Sequence, residues 1–380
     1  MTDLERVLPL WRELEAAGAD YVLATIVAVE GPSYRKPGAR MLIASDGRRA
    51  GTVSGGCLEA EVARRAWWLT GAGPVVERYS TVADDGDLPY GSGCGGVVYI
   101  LLERSTTARP LLQSLEACFH ARISIAIATV LTGPQIGHRA FAGLPELPIA
   151  IREDELHVEL RSRARRAFNF RTSFDESISI HGVPTRIWSD YRPARPGLWI
   201  FGAGDDARPL LRMAREMGWF VALCDGRSHL TTHERFPEAD ELHVLPIDQL
   251  PAAAASHFRP LSSDAAILMS HSYEQDLRIL ASLLALDLRL AYIGVLGPQR
   301  RTRDLLAAAA RLVGRPDSPD AVERLLAQLH APTGLDVGAE TPAAVALSIL
   351  SEVQQTLTAA SARPLHQVRA VQPATVPDAR

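Results

Sequence analysis

Two cysteines stand in surroundings that point to chemistry. Cys57 follows Ser54-Gly55-Gly56 and precedes Leu58-Glu59, and Cys94 sits inside Gly91-Ser92-Gly93-Cys94-Gly95-Gly96. Glycines free the backbone to approach a ligand closely. Leu58, Val62 and Ala66 have helical spacing, which puts Cys57 in a first helical turn, where the thiol pKa falls. The thiolate is the form that attacks electrophiles or binds soft metals. Neither cysteine has the CxxC or Cys/His spacing of a zinc site. Cys118 and Cys224 lie in apolar periodic segments and read as small core residues. A third motif, Gly31-Pro32-Ser33-Tyr34-Arg35-Lys36-Pro37-Gly38-Ala39-Arg40, crowds three cations into six positions of a rigid loop. Two readings of it stand: a preformed oxyanion or phosphate site, and a solvated turn.

A fourth motif is of the dinucleotide-binding type. Leu198 to Phe201 is an apolar run entering Gly202-Ala203-Gly204-Asp205-Asp206-Ala207. Gly202 permits a tight turn, Gly204 allows a phosphate near the backbone, and Ala207 lets the next helix pack closely. Asp225, ending the following strand, stands where a carboxylate meets a ribose hydroxyl, and Arg227 where a cation meets a 2′-phosphate, so NAD and NADP are not separated. Asp205 and Asp206 oppose a tightly held dianion, so a Rossmann scaffold without nucleotide stands as the second reading. His271, in Ser270-His271-Ser272, is expected at the same sheet edge, as a proton carrier or as a satisfied strand-end polar group.

Ordered elements must place these residues. Periodicity predicts a helix over 4–17, strands over 21–29 and 39–44, a strand over 97–102, a helix over 111–120 and a strand over 123–131. These make a first α/β domain, residues 1–131. Residues 132–196 read as a connecting segment. It contains an alternating Leu156–Leu160, a solvated arginine cluster over 161–171 and a hairpin turning at His181-Gly182. From 197 to 360, strands over 198–202, 220–225, 265–271 and 290–296 alternate with helices over 206–217, 274–286, 300–313 and 342–358. That repetition predicts a Rossmann-like, doubly wound parallel sheet. Residues 361–380, rich in proline, read as a loose tail.

Composition narrows the class. The 380 residues are 47% apolar with a formal net charge of −4, which argues against a nucleic-acid partner and against disorder. No apolar stretch reaches the roughly 20 residues of a membrane helix, and the N-terminal residues lack a signal-peptide pattern. Four scattered cysteines fit a reducing, cytoplasmic setting. Among the 40 basic residues, Lys36 is the single lysine.

Gly31–Arg40, Ser54–Glu59 and Gly93–Gly96 together resemble the first domain of the XdhC/CoxI family, maturation factors of xanthine and carbon-monoxide dehydrogenases. Phe201–Ala207, Asp225-Gly226-Arg227, Tyr292–Gly297 and Pro332–Pro342 continue the resemblance in family order. Ser270-His271 departs mildly from the family's Thr-His, and 132–196 carries no recognised block. The resemblance implies an XdhC-type α/β domain followed by a Rossmann-like domain. It also implies a chaperone that binds molybdenum cofactor, protects its sulfurated form and delivers it to the apo-subunit of a molybdenum hydroxylase, with a cysteine desulfurase as sulfur donor. Arg35, Lys36 and Arg40 are then expected to hold phosphate or oxo groups beside Ser54, Gly55 and Gly56, with Cys57 and Cys94 at the metal or its sulfur. A homodimer is the assembly to test. The competing readings are an NAD(P)-dependent oxidoreductase working through the Rossmann half, and a purely structural adaptor.

Overall fold

The computed structural model describes residues 3–56, 58–80, 96–144, 154–245, 258–285 and 290–368. The chain divides into two units, residues 1–195 and 196–380.

The first unit is built on a five-stranded antiparallel sheet. After helix α1 (Asp3–Ala16) come β1 (Tyr21–Glu30), β2 (Arg40–Ala44), β3 (Arg49–Gly51), helix α2 (Glu59–Leu69), β4 (Val75–Ser80), β5 (Val97–Arg104) and helix α3 (Ser105–Ala121). The sheet order is β3-β2-β1-β5-β4. Central β1 is a continuous apolar run because both of its faces are covered. Tyr21 and Leu23 pack with Val7, Leu8 and Trp11 of α1 and with Leu111, Leu112 and Leu115 of α3. Val22, Ala24 and Ile26 point the other way, onto Leu58, Val62 and Ala66 around α2.

Residues 132–196 are not a connector. Strands β6 (Ile125–Val130), β7 (Arg139–Ala142), β8 (Phe174–Ile180) and β9 (Val183–Arg192) form a second antiparallel sheet, in the order β7-β6-β9-β8. The hairpin of β8 and β9 turns at His181-Gly182, both residues with positive φ. The alternation Leu156–Leu160 belongs to a helix, α4 (Glu155–Phe170), capped by Asp154 accepting from the His157 amide. Its buried residues are Leu156, Leu160, Ala164 and Ala167, a helical spacing that Val158, exposed, disguises as a strand. The arginine cluster is the outer face of α4: Arg163 and Arg166 pair with Glu176, and Arg166 also lies over the Phe174 ring.

The second unit is a parallel sheet built from β10 (Gly197–Phe201), helix α5 (Ala207–Glu216), β11 (Phe220–Asp225), β12 (Glu241–Val244), β13 (Ala265–Leu268), helix α6 (Tyr273–Ala285) and β14 (Tyr292–Val295). Helices α7 (Gln299–Leu312), α8 (Pro319–Leu326), α9 (Pro342–Thr358) and the short α10 (Leu365–Val368) follow. The order β12-β11-β10-β13-β14 is that of a Rossmann half-sheet extended by two strands. Leu198 and Ile200 pack against α5 and α9 on one face, Trp199 and Phe201 against α6 and α7 on the other, so the sheet is doubly wound. Residues 369–380 of the expected tail lie outside the described residues. Among the described residues, no helix is long and apolar enough to cross a membrane.

Candidate functional site

In the first unit, the Gly31–Arg40 loop, the Ser54-Gly55-Gly56 turn and Gly96 come together where β1 ends and β5 begins, at the paired residues Glu30 and Val97; Gly91–Gly95 lie outside the described residues. Gly96 lies so close to the loop after β1 that a Cβ there would stand 2.1 Å from the Pro32 carbonyl oxygen. From the other side, the Tyr34 ring lies over Gly55, at van der Waals distance from where a Cβ would be. The Gly31–Arg40 loop therefore sits between the Ser54-Gly55-Gly56 turn and the last residue of the Gly91–Gly96 motif.

That loop is braced. Ser33 Oγ donates to the Arg35 carbonyl at 2.8 Å, and Gly38 N–H donates to the Ile26 carbonyl at 2.7 Å. Arg35 forms an ion pair with Asp3 at 2.9 Å, while Lys36 is exposed. Arg40 departs from the expectation for it. Its side chain, 4% exposed, pairs with Asp190 at 3.4 Å and donates to the Gly38 carbonyl at 2.9 Å. Burial and the neighbouring Arg192 lower its pKa to about 10, which leaves it cationic at neutral pH. A sealed guanidinium joining β2 to β9 holds the protein together and has no face to offer a ligand.

The Ser54 turn is likewise closed by its own residues. Glu59, at the start of α2, accepts from the amides of Val53 (3.2 Å) and Ser54 (2.8 Å) and from the hydroxyls of Thr52 and Ser54. Ser54 Oγ in turn accepts from the amides of Gly56 and Leu58. The Ser54 hydroxyl thus shapes the turn, and Gly55 and Gly56 are its exposed backbone. Burial alone would raise the Glu59 pKa, but the hydrogen bonds from Ser54 and Thr52 hold it down to about 2. A carboxyl whose pKa falls on folding adds stability above its unfolded value, and that stability is lost as pH drops toward its folded value. Glu59 should therefore contribute about 2 kcal/mol at neutral pH, allowing for solvent on its open side, and lose it between roughly pH 4.5 and 2. Unfolding of Glu59→Gln followed across that range should lose this part of the acid slope.

Cys57 and Cys94 lie outside the described residues. Cys118 and Cys224 are buried, as expected of core residues, and burial pushes the Cys118 thiol up to about 11.

In the second unit, Gly202 has φ +132° and passes the backbone of Met269 so closely that a Cβ would stand 2.5 Å from its carbonyl oxygen. Gly204 follows, and Ala207 is fully buried at the start of α5. Asp225 and Arg227, read as alternative ribose contacts, are partners of each other. Asp225 Oδ1 accepts from the Arg227 amide and Nε, and Oδ2 accepts from the Ala203 amide at 2.7 Å and an Arg227 terminal nitrogen at 2.7 Å. These four bonds use the whole acceptor capacity of the carboxylate. Asp225 thereby ties the glycine turn to the loop after β11, its carboxylate engaged by the protein's own N–H groups. His271, with φ +59°, contacts Asp206 through Nε2 at 2.8 Å, and Asp205 pairs with Arg235. The glycine turn and the Ser270-His271 loop do share one sheet edge.

Sequence reasoning missed a polar knot on the β14 side. Tyr292 OH donates to Glu352 and contacts Thr333 Oγ1, both at 2.6 Å. His330 reaches Glu352 through Nδ1 at 2.8 Å and stacks on the Tyr292 ring, and the Gly334 amide donates to the same carboxylate. Gly294 has no room for a side chain beside Thr333. This is how the blocks Tyr292–Gly297 and Pro332–Pro342 come together. Only their joint presence in one sequence hinted at it.

An antiparallel unit in which a glycine turn and a braced basic loop pack together, followed by a doubly wound Rossmann-type unit, defines a two-module α/β class. Family models agree in both halves: "XdhC and CoxI family" matches residues 14–80 and "XdhC Rossmann domain" matches residues 198–353. The chain belongs to the XdhC/CoxI family. It is 31% identical over 347 residues to a Bacillus subtilis protein described as a probable subunit of xanthine dehydrogenase, covering 88% of this chain and 92% of that one. It is 34% identical over 126 residues to the "Molybdenum cofactor insertion chaperone PaoD" of Escherichia coli, covering 30% of this chain and 36% of that one. A crystal structure described as a xanthine dehydrogenase from Bacillus halodurans superimposes with a TM-score of 0.71 at 27% identity, covering 97% of this chain and all of that one.

Proposed function

We propose that this protein is a maturation factor for a xanthine dehydrogenase-type molybdenum hydroxylase. In this reading it takes up molybdenum cofactor in the first unit, guards the sulfurated form and hands it to the client's apo-form. The observation that carries the reading is the packing of the braced Gly31–Arg40 loop between the Ser54-Gly55-Gly56 turn and Gly96 at one end of one sheet. The cargo, a pterin dithiolene bearing molybdenum and a phosphate, asks for cations, exposed backbone and soft ligands in one place. Lys36 and Arg35 supply cationic charge, and Gly55 and Gly56 supply approachable backbone. Cys57 and Cys94 are the thiolates nearest to this place in sequence and would meet the metal or its sulfur. A cysteine desulfurase as sulfur donor, a homodimer and a cytoplasmic location complete the proposal. The relatives named above support it: one is called a molybdenum cofactor insertion chaperone, another a probable part of a xanthine dehydrogenase.

The test is to purify the protein from cofactor-producing cells, assay pterin and molybdenum on it, and add it to apo-hydroxylase. Wild type should carry both in comparable amounts and activate the client. Cys57→Ser/Cys94→Ser should lose most of the molybdenum while remaining folded. If that variant holds cofactor and activates the client as wild type does, the thiolate assignment fails. If wild type carries no pterin, the whole reading fails.

A further inference from the structure

We infer that Tyr34 is the platform on which the flat pterin ring of the cargo stacks, an inference that rests on the proposed cofactor-binding role of the Gly31–Arg40 loop and the Ser54-Gly55-Gly56 turn. Tyr34 is 73% exposed, although a phenol ring gains by burial. A single exposed aromatic residue is unremarkable on a surface. This one differs in how it is held.

Its loop is pinned at both ends and in the middle. Gly96 presses on the Pro32 carbonyl, Ser33 bonds to the Arg35 carbonyl, Arg35 pairs with Asp3, and Gly38 bonds to Ile26 of β1. Gly55 forms the floor beneath the ring, and any side chain larger than a methyl group there would push the ring away. One face of the phenol is thereby fixed on backbone, and most of the remaining surface is left to solvent. The loop that carries the ring is braced in place, so a flat ligand that stacks on it incurs little cost in ordering the loop. The exposed Lys36 lies two residues along the chain, so a flat group carrying negative charge fits better than a neutral one. A pterin with a phosphate tail has both properties. Aromatic stacking on a heterocycle tolerates small changes in ring substituents. The expectation is that Tyr34 sets affinity for the ring, while the exposed Lys36 attracts the phosphate end.

The experiment uses full-length wild type, Tyr34→Phe and Tyr34→Ala. Each is titrated anaerobically with molybdenum cofactor released from a denatured molybdenum enzyme, following pterin fluorescence. The exposed position predicts unchanged unfolding curves for both variants. Tyr34→Phe should bind as wild type and quench the pterin equally. Tyr34→Ala should bind about ten- to a hundredfold more weakly and lose the quenching. Binding and quenching by Tyr34→Ala equal to wild type would overturn the platform and leave the cofactor-binding reading standing. Failure of wild type itself to bind would overturn that reading and the platform with it. Weak binding by Tyr34→Phe as well as Tyr34→Ala would make the hydroxyl, not the ring face, the contact, and would also overturn stacking.

Discussion

Asp190→Ala should be among the most damaging single substitutions in the first unit, destabilising the protein by about 3–5 kcal/mol. Asp190 is buried in β9 and faces two guanidiniums, Arg40 at 3.4 Å and Arg192 at 2.7 Å. A second buried pair, Arg139 of β7 with Glu103 of β5, also joins the two sheets of this unit. Removing the aspartate leaves Arg40 enclosed with cationic neighbours and without its counter-charge. The penalty is that of an unpaired buried ion, not of a lost surface bridge. A double change, Arg40→Met/Asp190→Leu, removes both charges and should recover most of the loss. Denaturant unfolding of Arg40→Met, Asp190→Leu and the double variant forms a cycle that reads the coupling directly. Additive single effects would mean that the two side chains do not depend on one another.

The second large effect is expected from the glycine turn, where two neighbouring glycines should respond in opposite ways. At Gly202 a Cβ meets the backbone of Met269 and Ser270, all within 3 Å, and φ is +132°. Strain at that φ and the overpacking each cost about 1–3 kcal/mol, so Gly202→Ala should lose about 2–6 kcal/mol. At Gly204 a Cβ meets only the Asp206 carboxylate at close range, a side chain that can rotate away. Gly204→Ala should therefore leave stability within about 1 kcal/mol of wild type while freeing His271 from Asp206. Thermal unfolding of the two variants separates them. Equal losses would mean that the turn is held by something other than the close approach of β10 to β13.

The elements most legible in the sequence are those with both faces buried. Strands β1, β10, β11 and β13 are apolar runs because helices cover both sides of their sheets, and the helices facing them show the matching period. Strand β12, Glu241–Val244, is not legible because it is four residues long at a sheet edge, exposed at both ends and half-buried between, so it shows neither an apolar run nor an alternation. Helix α4 looked extended locally because Val158 interposes an exposed apolar residue between two buried leucines. At the site, Lys36, Gly55 and Gly56 reach the surface. Arg40 does not, because its partner Asp190 lies 150 residues away and no local pattern encodes it. Asp225 and Arg227 were both visible as ribose contacts, but their mutual pairing depends on a carboxylate with four acceptor positions and four nearby N–H groups. Composition and spacing identify candidate groups; which of them are already occupied is a property of the folded chain.

The braced loop also gives the protein an unusual chemical address. Of the 40 lysine and arginine side chains all but one are guanidiniums, which acylating reagents leave alone under mild conditions, and the one primary amine on a side chain is the exposed Lys36. Apart from the α-amino group, an amine-selective reagent has a single place to react, on the same braced loop as Tyr34. A fluorophore or acyl group installed there would serve as a built-in reporter of cargo: its uptake in the empty protein, and its exclusion when the loop is filled, would register occupancy without any engineered tag.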